Sequence, residues 1–241
     1  MCYDISFHTN IKTIVDYFPG IQVDPEIGVK YEMVDHLQIR EERDHPIILV
    51  QEDQLTLKPM RWGIEMFGRM VFNTQSEKVL QKGSAWYNRR KSRCLIPVTG
   101  IMEHREVKGW SRKVPYLVKI KNKDLFCIPG LYSKSQNAWS LITRPANEVM
   151  CMIHNSGDNP FRMPLFLQDK KLELRWIDQD LPEPEMAAIL DFELESEELS
   201  HITTWTIRTS KERPDKKSKL DPYEWPGLPP LGHDTISPTL F

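Results

Sequence analysis

Residues 114–143, VPYLVKIKNKDLFCIPGLYSKSQNAWSLIT, hold three short β-rich runs, at 114–120, 125–128 and 139–143. β-Branched and aromatic side chains dominate them, and Lys, Asn, Pro and Gly separate them. Such side chains fit a pleated, half-buried surface, and such separators end strands. A fourth run of the same kind spans 47–50. Helical spacing is rarer, at 11–17, at 76–81 running into Gly83, and at 183–192 after Pro182. Many strands with a few dispersed helices predict an α+β fold: a single domain built on a curved, barrel-like mixed β-sheet with a few peripheral helices.

The 241 residues suffice for one substantial domain and do not require two. Hydrophobic residues at 40% and charged residues at 27% are an ordinary globular balance, so a buried core is expected. No apolar run approaches the ~18 residues of a membrane span. The start, MCYDISFHTN, lacks the basic and apolar stretches of a secretory signal. A cytoplasmic protein away from membranes is the expectation. The formal net charge of −2 does not point to nucleic acid, so any DNA binding must rest on local patches.

Cys2, Cys94, Cys127 and Cys151 show no CxxC pair and no metal-ligand spacing; the last three read as small buried hydrophobes inside apolar strands. No His/Cys/Asp cluster or Gly-rich phosphate loop is present in the sequence pattern, so neither a metal nor an organic cofactor is expected. Residues 211–241 change character, with six prolines (Pro214, Pro222, Pro226, Pro229, Pro230, Pro238) and lysines at 216, 217 and 219. They read as an irregular tail to a 1–210 domain, either wrapping it through Trp225 and Leu228 or partly disordered, with too little apolar content for a core of their own.

Cys2 carries the first chemical argument. Initiator methionine is commonly removed before a small residue, and the product here is a 1,2-aminothiol. Its α-amine, with an ordinary pKa of ~7.7–8.0, can form an imine with an aldehyde. The thiol then adds to the imine carbon and closes a five-membered thiazolidine. An internal cysteine cannot do this, because its nitrogen is an amide. Position alone leaves open that Cys2 is an incidental small residue.

Four further segments bear on the choice. Pro59-Met60-Arg61-Trp62-Gly63-Ile64 is followed by Phe72-Asn73-Thr74-Gln75-Ser76-Glu77. Then comes Arg93-Cys94-Leu95-Ile96-Pro97-Val98-Thr99-Gly100-Ile101-Met102-Glu103, and last Ile153-His154-Asn155 with Arg162-Met163-Pro164. In this order they resemble the SRAP family (SOS response-associated peptidase, abasic-site processing proteins). Its members begin Met-Cys-Gly-Arg and show R/K-W-G-L, N-A-R-x-E, R-C-[LIV]-[IV]-P-x-x-G-[FY]-[YF]-E-W and I-H-x-R-M-P boxes. The resemblance covers about residues 1–210. It implies a role in DNA damage and the SOS response. The family's thiazolidine-forming cysteine falls on Cys2, its asparagine on Asn73, its glutamate on Glu103 and its histidine on His154. Glu103 would then move protons during ring opening and dehydration, aided by a raised pKa. His154 would exchange protons near neutral pH, and Asn73 would orient the sugar or the Cys2 terminus. Read singly, Glu103 beside His104, Arg105 and Glu106 suits a solvated turn, His154 a structural histidine, and Asn73 or Thr74 a helix cap.

The chain departs from these boxes at several points. Tyr3 and Asp4 stand where Gly and Arg are usual, Gln75 replaces an arginine, His104 replaces a tryptophan, and residues 155–161 are inserted after His154. DNA contacts are therefore sought in Arg61, Trp62, Arg69, Gln75 and Arg162 of the boxes, in Arg89 and Arg90 of the basic run 82–93 with Trp86 and Tyr87, and in Lys108, Arg112 and Lys113. Arginines neutralise phosphates and aromatics stack unpaired bases, which suits single-stranded DNA. The expected protein is a monomer, nucleoid-associated through DNA, that captures abasic sites in single strands. An autoproteolytic peptidase with Cys2 as nucleophile and a catalytically inactive single-strand binding module are the alternatives.

Overall fold

The computed structural model describes residues 2–30, 36–39, 41, 43–208 and 212–233. Met1, whose removal the expected Cys2 chemistry would require, lies outside them, as do Lys211 and Pro238 of the tail. The first third of the chain forms β1 (Asp4–Ser6), α1 (Ile11–Tyr17), β2 (Gln22–Val23), α2 (Ile27–Lys30), β3 (Leu37–Gln38), β4 (Asp44–Gln51), β5 (Gln54–Trp62), β6 (Ile64–Met66), β7 (Arg69–Val71), β8 (Asn73–Gln75) and α3 (Ser76–Val79). It continues through β9 (Arg93–Val98), β10 (Gly100–Arg105), β11 (Val114–Ile120), β12 (Phe126–Ser133), β13 (Ala138–Pro145) and α4 (Glu148–Ile153). The last part is β14 (Arg162–Pro164), α5 (Lys170–Ile177), α6 (Glu183–Leu190) and β15 (Leu199–Thr203).

Strands β13, β12, β9, β4 and β5 are hydrogen-bonded in that order, and β5 returns to β13 through Arg61 opposite Ala138 and Trp62 opposite Trp139. That pairing closes the sheet into a small barrel-like ring and removes two edges. Successive residues then divide between two apolar clusters, as a period of two requires. Ile47, Leu49, Ile96, Ile128 and Leu141 face a cluster shared with Ile5, Ile101 and Val118 of the second sheet, ordered β15-β11-β10-β1-β3. Ile48, Leu95, Cys127 and Ile142 face the other cluster, covered by Ile14 and Phe18 of the α1 region, Trp176 of α5 and Met186 and Ile189 of α6. The fold is the expected one: mixed, mostly sheet, with few helices.

Some boundaries differ from the sequence expectation. The run at 125–128 continues as β12 through Pro129 and Gly130, which read as turn residues. Gly130 is needed there, because a Cβ would lie 2.6 Å from Ile96 Cδ1 and 2.9 Å from the Ser140 carbonyl. The helices expected at 76–81 and 183–192 are the shorter α3 and α6. Cys94 and Cys127 are buried in strands, whereas Cys151 lies in α4 and is half-buried. Of the tail, residues 212–233 pack on the domain. The Trp225 indole donates to the Thr204 carbonyl, Arg105 donates to the Pro229 and Pro230 carbonyls, and Leu228 and Leu231 join the first cluster.

Candidate active site

Strand β1 pairs antiparallel with β10, Ile5 opposite Ile101, so the chain start runs toward Glu103. Cys2 sits just before β1, buried, with its Sγ 3.5 Å from the Asp4 carbonyl. Burial and the neighbouring Glu103 carboxylate push its thiol well above its ordinary pKa, so it rests as a thiol. Asn73 opens β8, which lies parallel to β13, and its Nδ2 donates to the Cys2 carbonyl at 2.9 Å. It does not cap α3, whose N-cap is Gln75 with no side-chain bond. The other amide atom, Oδ1, is buried without a hydrogen-bond partner.

Glu103 lies in β10 and not in a solvated turn; it is 3% exposed, with Oε1 buried and unpartnered. Burial raises its pKa to about 7. His154 terminates α4, held by its backbone N–H to the Met150 carbonyl. Its Nε2 is 3.9 Å from Glu103 Oε2, too long for a hydrogen bond. Burial holds the imidazole down to about 3. The distance alone would permit an ion pair, yet burial of both groups favours the uncharged acid and uncharged ring. The Arg162 backbone N–H donates to His154 Nδ1 at 3.3 Å, which leaves the ring proton on Nε2, facing Glu103. Proton exchange near neutral pH, the role expected of His154, does not suit a ring so placed. A neutral hydrogen-bond donor toward Glu103 does.

Glu103 and His154 open into a cavity of about 640 Å³ shared with Tyr3, His104, Arg112, Lys113, Trp205, Thr206 and Arg208. The inserted loop contributes Ser156, Gly157, Asp158 and Asn159, so it builds one wall of this cavity. His104 is held neutral, at about 4, by burial and then by Arg208. Beneath the cavity, the buried Asp4 carboxyl accepts from His36 Nε2 at 2.7 Å and from Arg208 Nε at 3.0 Å. Burial alone would raise the Asp4 pKa, but these two partners hold it below its ordinary value.

The residues expected to contact DNA are dispersed. Trp62 is buried in the barrel, stacked on Trp139 at 4.9 Å with its indole donating to the Phe72 carbonyl, so it offers no face to a base. Arg162 grips both Glu77 carboxylate oxygens, at 2.5 and 2.9 Å. Arg90 pairs with Glu183 at 2.7 Å and lies over the Tyr87 ring, which ties the basic run to α6. Neither it nor Arg89 lines the cavity. Arg69 belongs to a separate depression with Phe67 and Trp86, exposed Arg61 sits on β5, and Gln75 is half-buried at the start of α3. Of the hairpin cations, Arg112 and Lys113 do reach the cavity. Sequence reading missed Tyr3, Trp205 and Arg208; the one available signal was an acidic Asp4 in an apolar β1, which needs a cation nearby. Among the described residues no group of His, Cys, Asp or Glu is placed to hold a metal, and no helix is long and apolar enough to cross a membrane.

Comparison with known proteins follows this geometry. The chain is 28% identical over 143 residues to the abasic site processing protein YoqW of Bacillus subtilis (strain 168). It is 27% identical over 143 residues to the abasic site processing protein YobE of the same organism. Each match covers 54% of this chain and 60% or 62% of the relative, so the chain spans under two thirds of those proteins. A crystal structure from Bacteroides thetaiotaomicron superposes with a TM-score of 0.72 at 23% identity, covering 92% of this chain and 97% of that one. One from Bordetella bronchiseptica gives 0.65 at 15% identity, covering 85% and 100%. Both establish the fold. Residues 1–210 match the family described as SOS response associated peptidase, and the chain belongs to that SRAP family.

Proposed function

We propose that this protein processes abasic sites in DNA by capturing them covalently through Cys2, exposed as the N-terminal residue when Met1 is removed. The observation that carries the reading is that Glu103 and His154, 3.9 Å apart, line one cavity, while Cys2 lies buried beside Glu103 with its carbonyl held by Asn73. The relatives' names point the same way.

The atoms balance simply. The α-amine adds to the sugar aldehyde to give a carbinolamine, water leaves to give an imine, and the thiol adds across the C=N bond. Aminothiol and aldehyde become a thiazolidine and one water. Glu103, with a pKa near 7, supplies the proton for the departing hydroxyl and takes one back from the adding thiol. His154, as an Nε2–H donor, steadies the carboxylate that forms between those events. Asn73 fixes the Cys2 carbonyl and thereby the direction of the amine. Below pH 7, the protonated Glu103 and the neutral His154 suit capture of an aldehyde without an anion facing the DNA backbone. The same placement of Cys2 serves removal of Met1 by the chain itself, which we include in the proposal.

Intact mass spectrometry in denaturant tests the reading. Processed protein incubated with an abasic oligonucleotide should gain the oligonucleotide mass less one water. Cys2→Ala should not. A variant with one retained residue ahead of Cys2 keeps the thiol but loses the amine, and should fail as completely. Normal crosslinking by that variant would shift the assignment to a thiol nucleophile and the peptidase reading.

A further inference from the structure

Part of the cavity wall is aromatic and cationic, and the chemistry at Cys2 uses none of it. Trp205 and Arg208 follow β15, and Arg112 comes from the β10–β11 hairpin. The Trp205 ring stacks on Trp225 at 5.8 Å and 14°, and meets Tyr223 edge-on at 4.6 Å. Both backing rings are fixed to the end of β15: the Trp225 indole to the Thr204 carbonyl at 3.0 Å, the Tyr223 backbone N–H to the Thr203 carbonyl at 2.9 Å. Trp139 and Trp176, which serve packing, are wholly buried; Trp205 remains half-buried and lines the cavity. A ring braced in this way loses little freedom when a second flat group stacks on it.

The cations complete the surface. Arg112 is exposed, and Arg208 is 40% exposed while anchored to buried Asp4. Lys113 also lines the cavity, though it is 3.6 Å from Glu106 and donates to Ser156 Oγ. Asp158 and Glu103 are the acidic residues of the lining itself. The pairing of Arg208 with Asp4 and of Lys113 with Glu106 fixes these cations in place, and exposed Arg112 stands beside them at the cavity mouth.

We propose that Trp205, braced by Trp225 and Tyr223, is a stacking platform for the nucleobase adjoining the abasic sugar in single-stranded DNA, with Arg112 and Arg208 receiving the flanking phosphates. The inference rests on the abasic-site reading of the cavity.

The test uses oligonucleotides carrying a tetrahydrofuran abasic analogue, which has no aldehyde and cannot crosslink. Fluorescence anisotropy compares analogue sites flanked by bases with sites whose 5′, 3′ or both neighbours are also tetrahydrofuran. Trp205→Ala should lose about tenfold in affinity for the base-flanked strand. Removing the stacked base should cost the wild type the same factor and cost Trp205→Ala nothing further. Trp205→Phe should retain most of the affinity. Arg112→Ala should lower the salt slope of binding by about 0.7. With aldehyde-bearing strands, the Trp205→Ala loss should fall mainly on the half-saturating DNA concentration. Equal losses with and without the neighbouring base would mark Trp205 as structural and overturn the proposal. So would a wild type indifferent to removal of both neighbours, a result that needs no variant. Absence of any adduct from the wild type would overturn covalent capture instead, and the base–Trp205 coupling would still be measured on the analogue.

Discussion

Glu103 is the residue on which the chemistry and the stability of this protein pull in opposite directions. Its pKa, near 7 against an ordinary 4.5, means that the folded state favours the protonated form. The stability that the neutral acid contributes is fully present below pH 4.5 and is lost as the pH rises through 7. A shift of that size corresponds to on the order of 3 kcal/mol. Glu103→Gln, which mimics the neutral acid, should therefore be more stable than the wild type in urea unfolding at pH 8, with the gap closing toward pH 4.5. An equal gap at both pH values would place the carboxyl's ordinary pKa in the folded state. The same substitution removes the proton donor, so adduct formation should slow by ~10²–10⁴-fold at pH 6. The wild-type rate should fall as the pH passes 7, and the variant's rate should not. His154→Ala should lower the rate without moving that pH dependence, because the ring is held neutral and does not titrate in the range.

At the scale of single elements, β1 does two jobs: it delivers Cys2 to β10 and buries Asp4 beside His36 and Arg208. Asp4 has a depressed pKa in the folded state, so the stability it contributes is present above its ordinary pKa and lost as the pH falls through the folded value. Asp4→Asn should cost roughly 1–3 kcal/mol at pH 7, the range for hydrogen bonds to charged groups left unmade. In acid unfolding the difference should vanish at the low end; a difference that persists there would mean packing, not charge, holds β1. Elements also show what was legible in the sequence. Runs 47–50, 114–120 and 139–143 read as strands because apolar and β-branched residues dominate them between clear separators. β12 was read short because Pro129 and Gly130 look like a turn, and only the close approach of β9 and β13 explains a glycine in mid-strand. α4 and α5 were missed, although Asn147 and Asp169 cap them. Asn73, Glu103 and His154 were legible only because they sit in ordered boxes; Trp205 and Arg208 reach the cavity through tertiary packing that no local pattern carries.

Over the whole molecule, the segment after β15 ties the two sheets' shared core to the cavity rim. Arg105, buried in β10, spends two donors on the Pro229 and Pro230 carbonyls, and Trp225, Leu228 and Leu231 cover apolar surface. Ending the chain at residue 210 should therefore lower unfolding stability by more than ~3 kcal/mol, through a buried guanidinium that loses its two proline carbonyl acceptors and through lost apolar cover. Unchanged stability would mean that the segment only rests on the surface. The central claim concerns the other end of the chain, where one amine and one thiol on Cys2 must act together. The most direct measurement is the intact mass, in denaturant, of processed wild-type protein after exposure to an aldehyde-bearing abasic oligonucleotide, beside Cys2→Ala. The account predicts a stable adduct lighter than the sum of its parts by one water, and none from Cys2→Ala. A denaturant-stable adduct of the same mass from Cys2→Ala, or none from the wild type, would contradict it.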